Sequence, residues 1–392
     1  MIRLLICAGG TGGGVYPALA VLQRLTSSGE FMRQGRTVTD TQPSLQDVLW
    51  VGGEGGMEIE LVKREKVPLT MIPAAGVHGV ALSALPGNLW RICRGIQAAR
   101  LTLKKFNPDV ILFTGGYIGI PVVLAARMMG LGQKRPAMLA YVPDIEPGLA
   151  LKLVCRLVDH IAVTAQDSVG FIPANKKSTV TGYPTRENLL GWEKEEAYQL
   201  LNLTPSLPTL LILGGSRGAR SINSAILAIL PDLLEEMQVI HVTGTLDWPE
   251  ISHQKNEHLS LEHADRLSVY PYLHEEIGAA LTVADLVVSR AGASTLGELP
   301  LFGLPAILIP YPYAWRYQIT NAQYLANCGA AEVLADDDLK EKLLPMVQDI
   351  IRDHERLNAM KKAMRSLAHP KAADKIGKLV YYLGSSKSQL KD

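Results

Sequence analysis

The sequence predicts an α/β protein of two Rossmann-like domains, each a doubly wound parallel sheet. Three observations predict it. Short apolar, β-branched runs alternate with helical stretches along the whole chain, as repeated βαβ units require. Each half opens on such a run that ends in a glycine-rich turn, LLICAGGTGGG at 4–14 and LLILGGSRGAR at 210–220. The length, 392 residues, suits two domains at roughly 100–200 residues each.

Taken in order, RLLICA (3–8) is an apolar strand, and VYPALAVLQRL (15–25) has helical spacing behind its glycines. Residues 29–47 are polar and aperiodic and read as a loop. DVLWVG (47–52), DVILFTG (109–115), AMLAYV (137–142), HIAVTA (160–165) and STVTG (178–182) are the further strands of the first half. A polar, proline-containing bridge, GYPTRENLLGWEKEEAYQLLNLTPSLP, places the domain boundary near Arg186–Glu187. TLLILGG (209–215), QVIHVTG (238–244), LSVYPY (267–272), DLVVS (285–289) and PAILIP (305–310) are the strands of the second half, and helical patterns fill most gaps.

The totals exclude several classes. A formal net charge of +1 argues against a general nucleic-acid binder. The four cysteines form no CxxC pair, so neither a disulfide framework nor a zinc pattern is present; their apolar or helical contexts read as buried free thiols. Residues 1–8 are too short for a signal peptide, and no run of about 18 apolar residues offers a membrane span. A cytoplasmic chain is expected, with any membrane contact peripheral.

A glycine-rich turn at a helix N-terminus presents backbone N–H groups and the positive end of the helix dipole, which suits phosphate. Gly9–Gly14 fits neither the GxGxxG dinucleotide spacing nor the P-loop, so a nicotinamide enzyme or an NTPase is disfavoured. By itself such a turn is equally a device for close helix–sheet packing. FTGGYIGIP (113–121) and LGGSRGARSIN (213–223) are a second and a third. In open α/β sheets ligands bind at the carboxyl ends of strands, so the three turns are expected to face one cleft. Three phosphate-ready turns suggest two diphosphate-bearing substrates, or one diphosphate and a sugar.

AGGTGGGVYPALA, GGYIGIP, TGYPTREN, LGGSRGARSIN, HVTG, ADLVVSRAGASTLGELPLFGLPAILIPYP and YQITNAQYLANCGAAEVL, in this order and spacing, resemble the MurG family over nearly the whole chain. These are UDP-GlcNAc:undecaprenyl-diphosphate-MurNAc-pentapeptide N-acetylglucosaminyltransferases of peptidoglycan synthesis. The resemblance implies a GT-B fold whose C-terminal helix crosses back to the first domain. Residues 1–186 with about 369–392 would then bind acceptor and membrane, and 187–368 the UDP-GlcNAc donor. It implies inverting transfer of GlcNAc to the 4-hydroxyl of lipid I, giving lipid II, with no bound metal and no cofactor. The implied partners are UDP-GlcNAc, lipid I, an anionic inner-leaflet surface on the cytoplasmic face of the cell membrane, and cell-wall synthesis proteins.

The resemblance also implies roles. Gly10, Thr11, Gly12 and Gly13, with Gly115, Gly116 and Tyr117, would meet the acceptor diphosphate. Gly215, Ser216, Arg217 and Gly218 would hold the donor diphosphate, where oriented N–H donors stabilise the departing UDP. Arg186 would approach the nucleotide, Glu298 would bind the ribose hydroxyls, and Tyr272 and Leu273 would frame the uracil. Arg290, Ala293, Ser294 and Thr295 would lie toward the sugar and diphosphate. Gln318 and Asn321, three apart and so on one helical face, would read the GlcNAc hydroxyls. Leu82, Leu85, Leu89, Trp90, Arg91 and Arg94 would form the membrane patch, apolar insertion adding to attraction for anionic lipid. Each also has a structural alternative: core packing for Tyr272 and Leu273, an ordinary amphipathic helix for 81–105, an exposed hinge for Arg186, a helix-face carboxylate for Glu298.

The sequence departs from the family at Arg217, where Gln is common, at Tyr317, where another polar residue often precedes Gln318, and at two further places on the acceptor side. Gly14 stands where the family carries a histidine beside the diphosphate. Tyr141-Val142-Pro143-Asp144 stands where His-Glu-Gln-Asn is usual. Asp144, or Glu146 nearby, is therefore the candidate base for the acceptor hydroxyl. Three functions stay open: a lipid I transferase with a rearranged acceptor site, a same-fold glycosyltransferase with another lipid-linked or small-molecule acceptor, and a non-catalytic nucleotide-sugar-binding scaffold. Glu298, Gln318 and Asn321, all present, argue against the scaffold.

Overall fold

The computed structural model describes residues 2–10, 12–33, 45–56, 58–74, 85–129, 135–215, 218–258, 263–312 and 317–386. The chain divides into two compact units, Met1–Arg186 with Pro370–Asp392, and Glu187–His369.

The first unit runs β1 (Ile2–Cys7), α1 (Gly12–Arg33), β2 (Leu45–Gly53), α2 (Glu58–Arg64), β3 (Leu69–Ile72), α3 (Leu85–Phe106), β4 (Val110–Phe113), α4 (Gly119–Met128), β5 (Ala137–Val142), α5 (Leu149–Leu157), β6 (His160–Val163) and β7 (Lys177–Val180). All seven strands are parallel, in the order β3-β2-β1-β4-β5-β6-β7. β1, β4 and β5 are buried on both faces, which is why they read as unbroken apolar runs rather than alternating ones. Leu5, Cys7, Ile111, Phe113 and Met138 join a core with Ala99, Leu103, Val122, Ala126 and Val154 from α3, α4 and α5.

The second unit runs α6 (Lys194–Leu200), β8 (Thr209–Leu213), α7 (Arg220–Glu236), β9 (Gln238–Val242), α8 (Trp248–His258), β10 (Leu267–Tyr270), α9 (Ile277–Val283), β11 (Leu286–Ser289), α10 (Glu298–Phe302), β12 (Ala306–Leu308), α11 (Tyr317–Asn327), β13 (Ala331–Val333), α12 (Leu339–Arg352) and α13 (His354–Ser366). Its parallel sheet has the order β10-β9-β8-β11-β12-β13. Leu210, Ile212, Val239, Val288 and Ile307 pack against Ile222, Ile226 and Leu230 of α7 and Leu343 and Val347 of α12. The last helix, α14 (Ala372–Ser386), belongs to the first unit, where it packs on α1, β1, β4 and β5.

Three expectations are corrected. The loop predicted over 29–47 is narrower: α1 continues to Arg33, because its polar end contains no proline to stop it, and β2 starts at Leu45. Two edge strands, β3 and β13, escaped the pattern because they are only partly buried and carry Thr70 and Glu332 in place of an unbroken apolar run. Cys7 and Cys155 are buried, but Cys93 and Cys328 are exposed rather than buried thiols.

Candidate active site

Each sheet reverses its strand order once, and the crevice for a ligand lies outside the strand carboxyl ends at that point. In the first unit the reversal falls between β1 and β4. The first glycine turn follows β1 and the second follows β4, so topology alone brings them together. They meet backbone to backbone: a Cβ on Gly116 (φ +83°) would lie 2.5 Å from the Gly9 carbonyl oxygen. The Thr114 hydroxyl donates to the Gly14 carbonyl at 2.5 Å, tying the second turn to α1. From behind, the Trp50 indole N–H donates to the Ala8 carbonyl at 2.9 Å. Tyr117 is exposed. Thr11 lies outside the described residues, and Gly12 and Gly13 open α1.

Gly14 differs from its neighbours. It is helical, outside the left-handed region, and a Cβ there would meet Thr114 O at 3.4 Å and Gly115 Cα at 3.6 Å, ordinary contacts. Nothing in the backbone demands glycine at this position, so the position accepts a side chain.

Asp144 follows β5 on the same carboxyl edge and is half-buried. Tyr141 is fully buried; its hydroxyl meets Thr164 Oγ1 at 2.7 Å and the Gly182 carbonyl at 3.3 Å. Burial pushes its ionisation well above the ordinary value, the Thr164 hydrogen bond lowers it and the Asp144 charge raises it. Tyr141 is thus a neutral core residue where the family pattern has histidine. Glu146, the alternative base, is buried and ion-paired with Lys152 at 2.7 Å. Arg186 stacks on the Tyr16 ring of α1, 4.6 Å from its centroid, and its Nε is buried with no hydrogen-bond partner. The expected nucleotide-facing arginine therefore contacts the first unit's own helix.

In the second unit the reversal falls between β8 and β11. The third glycine turn follows β8, and the Arg290–Leu296 turn follows β11. A Cβ on Gly218 (φ +86°) would lie 2.4 Å from Thr243 O, so this turn rests on the end of β9. The Gly218 N–H donates to the Gly215 carbonyl at 3.0 Å, closing the turn. Ser216 and Arg217 lie outside the described residues. Asn223, in the first turn of α7, donates to Thr243 O at 2.9 Å and Asp247 Oδ2 at 2.8 Å. Both its amide protons are used, so His241 Nε2 donates to Asn223 Oδ1 at 2.9 Å. Burial pushes His241 down to about 4, and the imidazole is neutral. This brace was not derivable from spacing: His241, Asn223 and Asp247 lie on separate elements that only the sheet order brings together.

Arg290 and Asn321 bond within the second unit. The Arg290 guanidinium, 12 % exposed, donates to Asp336 Oδ1 at 2.5 Å, Ser221 Oγ at 2.7 Å and the Ile309 carbonyl at 3.2 Å. It also lies 5.3 Å from the Tyr311 ring centroid. Asn321 has no exposed surface, and its Nδ2 donates to the Ala291 carbonyl at 3.1 Å. Gln318 accepts from the exposed Tyr311 N–H at 2.8 Å. The Thr295 hydroxyl donates to the Gly292 carbonyl at 2.6 Å, shaping the turn in which Ala293 is buried and Ser294 half-buried. Glu298 opens α10 half-buried, Leu273 is buried, and the Tyr272 ring packs edge-on against His274 at 4.8 Å.

Of the membrane patch, Leu82 lies outside the described residues and Leu85 opens α3. Leu89 and Trp90 are 56 % and 66 % exposed, with Arg91 and Arg94 exposed beside them. No helix among the described residues is long and apolar enough to cross a membrane.

Two Rossmann-like units, each with a glycine turn at its switch point, define the GT-B architecture. Residues 4–133 match the glycosyltransferase family 28 N-terminal domain and 209–376 its C-terminal domain. The chain belongs to the family of UDP-N-acetylglucosamine–N-acetylmuramyl-(pentapeptide) pyrophosphoryl-undecaprenol N-acetylglucosamine transferases. It is 36 % identical over 384 residues to the Desulforamulus reducens protein of that name, covering 97 % of this chain and 98 % of the relative. It is 38 % identical over 421 residues to the Roseiflexus sp. (strain RS-1) protein, covering 97 % and 94 %. The crystal structure of Acinetobacter baumannii MurG shares the fold with a TM-score of 0.72 at 24 % identity, covering 97 % of this chain and all of that one. The UDP-GlcNAc 2-epimerase of Neisseria meningitidis bound to UDP-GlcNAc shares it at a TM-score of 0.65 and 14 % identity, covering 97 % and 100 %.

Proposed function

We propose that the chain transfers N-acetylglucosamine from UDP-GlcNAc to the MurNAc 4-hydroxyl of an undecaprenyl-diphosphate-linked MurNAc-pentapeptide, with inversion. The observation that carries this reading is likeness along nearly the whole chain, at 34–38 % identity, to relatives named for that transfer. In the reaction the acceptor oxygen attacks the sugar C1 as the bond from C1 to the UDP oxygen breaks. Asp144 takes the hydroxyl proton. The backbone N–H groups of the third glycine turn and the start of α7 stabilise the charge arriving on UDP. The first and second glycine turns receive the acceptor diphosphate. The exposed Leu89, Trp90, Arg91 and Arg94 of α3 dock the first unit on an anionic cytoplasmic leaflet.

Gly14 and the Tyr141–Asp144 stretch favour one alternative, a same-fold transferase with another lipid-linked acceptor. UDP release from UDP-GlcNAc, with and without a short-chain lipid I analogue, separates the two. Acceptor-dependent release with disaccharide product is expected, and Asp144→Asn lowers turnover by about a hundredfold or more. Tight UDP-GlcNAc binding without acceptor-dependent release would move the reading to the other acceptor. An unchanged Asp144→Asn rate and pH profile would remove Asp144 as the base.

A further inference from the structure

Three carboxylate side chains are buried among the described residues: Glu58, Glu146 and Asp247. Two have cationic partners, Lys152 for Glu146 and Arg220 for Asp247. Glu58 pairs with no cation among the described residues, and its oxygens take backbone N–H groups instead. Oε2 accepts from Gly10 at 3.2 Å and Oε1 from Gly53 at 2.8 Å. Withdrawing a carboxylate from water is costly unless its lone pairs are satisfied. Here the backbone has been cleared to satisfy them. A Cβ on Gly9 would lie 2.3 Å from Oε1, and one on Gly56 2.2 Å from Oε2. Glycines from two separate turns are thus bare around a single side chain.

What Glu58 grips is the first glycine turn. The Gly10 N–H, in a turn that reads as an anion cradle, already bonds an internal anion. The Gly9 carbonyl beside it is the atom against which Gly116 of the second turn rests. The negative charge registers on the strand that feeds the turn: burial first, and then Glu58, push the Cys7 thiol up. We propose that Glu58 is a positioning residue of the acceptor subsite. Its carboxylate fixes Gly9–Gly10, and through Gly9 the second turn, so that the N–H groups opening α1 at Gly12–Gly14 face the acceptor diphosphate. The inference rests on the transferase reading above.

Glutamine has the same shape but one acceptor oxygen. In Glu58→Gln the amide NH2 must face either the Gly10 or the Gly53 N–H, donor against donor, and one turn shifts. Rates are measured on the full chain with UDP-GlcNAc and a short-chain lipid I analogue varied in turn. Loss of one charge-assisted bond is expected to lower kcat/KM for the acceptor about tenfold to a hundredfold. KM for UDP-GlcNAc, and UDP affinity by calorimetry, stay within about twofold, since those report the donor side. Glu58→Asp keeps the charge on a stem one methylene shorter and recovers part of the acceptor-side loss. If Glu58→Gln fails to fold, by circular dichroism and lost UDP binding, Glu58→Asp decides: it must show an acceptor-side loss alone. Acceptor kcat/KM within about threefold of wild type, or a loss shared equally by both substrates, overturns the proposal. If wild type itself shows no acceptor-dependent turnover, the transferase reading has failed, and Glu58 is judged by inorganic pyrophosphate binding at saturating UDP. Glu58→Gln must weaken that binding, and unchanged affinity overturns the proposal as well.

Discussion

His241 ties the Asn223–Asp247 brace at the start of α7 to pH. Its folded value of about 4 lies below the ordinary 6.5, because burial disfavours the charged imidazolium. The unfolded chain therefore binds a proton below 6.5 that the folded chain refuses. The stabilisation is fully present above 6.5 and is lost as pH falls from 6.5 toward 4. The slope is about 1.4 kcal/mol per pH unit across that window. Urea unfolding between those limits should show an acid slope about one proton smaller in His241→Gln than in wild type. Equal slopes would assign the acid sensitivity elsewhere. Residues of this kind were only partly legible beforehand. Glycines, acids and amides announce themselves by type, so Gly116, Glu298 and Gln318 could be singled out from the chain alone. Whether an arginine faces ligand or neighbours could not: Arg290 is taken up by Asp336, Ser221 and Ile309, which are distant in sequence. Glu58 was missed because its partners are backbone N–H groups, which leave no pattern of side-chain types.

At the scale of elements, the strands that strand order places inside each sheet were the legible ones. Burial on both faces makes β4 read Val-Ile-Leu-Phe and β11 Leu-Val-Val-Ser, whereas β3 and β13 sit at edges, only partly buried, and carry Thr70 and Glu332 in place of an unbroken apolar run. α3 shows both kinds of face at once. Gly95, Ala99 and Leu103 turn inward, where a Cβ on Gly95 would meet the Pro73 carbonyl at 2.2 Å. Trp90, Arg94 and Leu101 lie outward, Leu101 being 63 % exposed. Positions 90, 94 and 101 share one helical stripe, so an exposed tryptophan and leucine flank a cation. Such a face suits shallow insertion beneath anionic headgroups better than it suits water. Leu89→Ala with Trp90→Ala should therefore weaken binding to vesicles of anionic lipid by about tenfold or more, since each buried CH2 contributes about 0.8 kcal/mol. Sedimentation with vesicles at fixed ionic strength measures it. Undiminished binding would return α3 to an ordinary solvated helix.

For the whole molecule, chain order and unit membership disagree in an informative way. The second unit is continuous from Glu187 to His369, but the first is complete only when Pro370–Asp392 returns to it. α14 is a core element of that unit. Ile376 and Val380 are fully buried, Arg24 pairs with Asp374 at 2.5 Å, and a Cβ on Gly384 would touch Ile2 and Val110 at 3.2 and 3.4 Å. The first glycine turn hangs from β1, so it depends on α14. The turns after β8 and β11 do not, because they and their sheet lie within the unbroken segment Glu187–His369. Ile376→Ala should cost the first unit about 2–5 kcal/mol by opening a cavity under α14. Native-state hydrogen exchange locates that loss. Amides of β1 and β4 should exchange faster in the variant, while those of β8 and β11 keep their protection and UDP binding is unchanged. If β8 and β11 lose protection in step with β1, the two units unfold as one cooperative body, and the second unit depends on α14 after all.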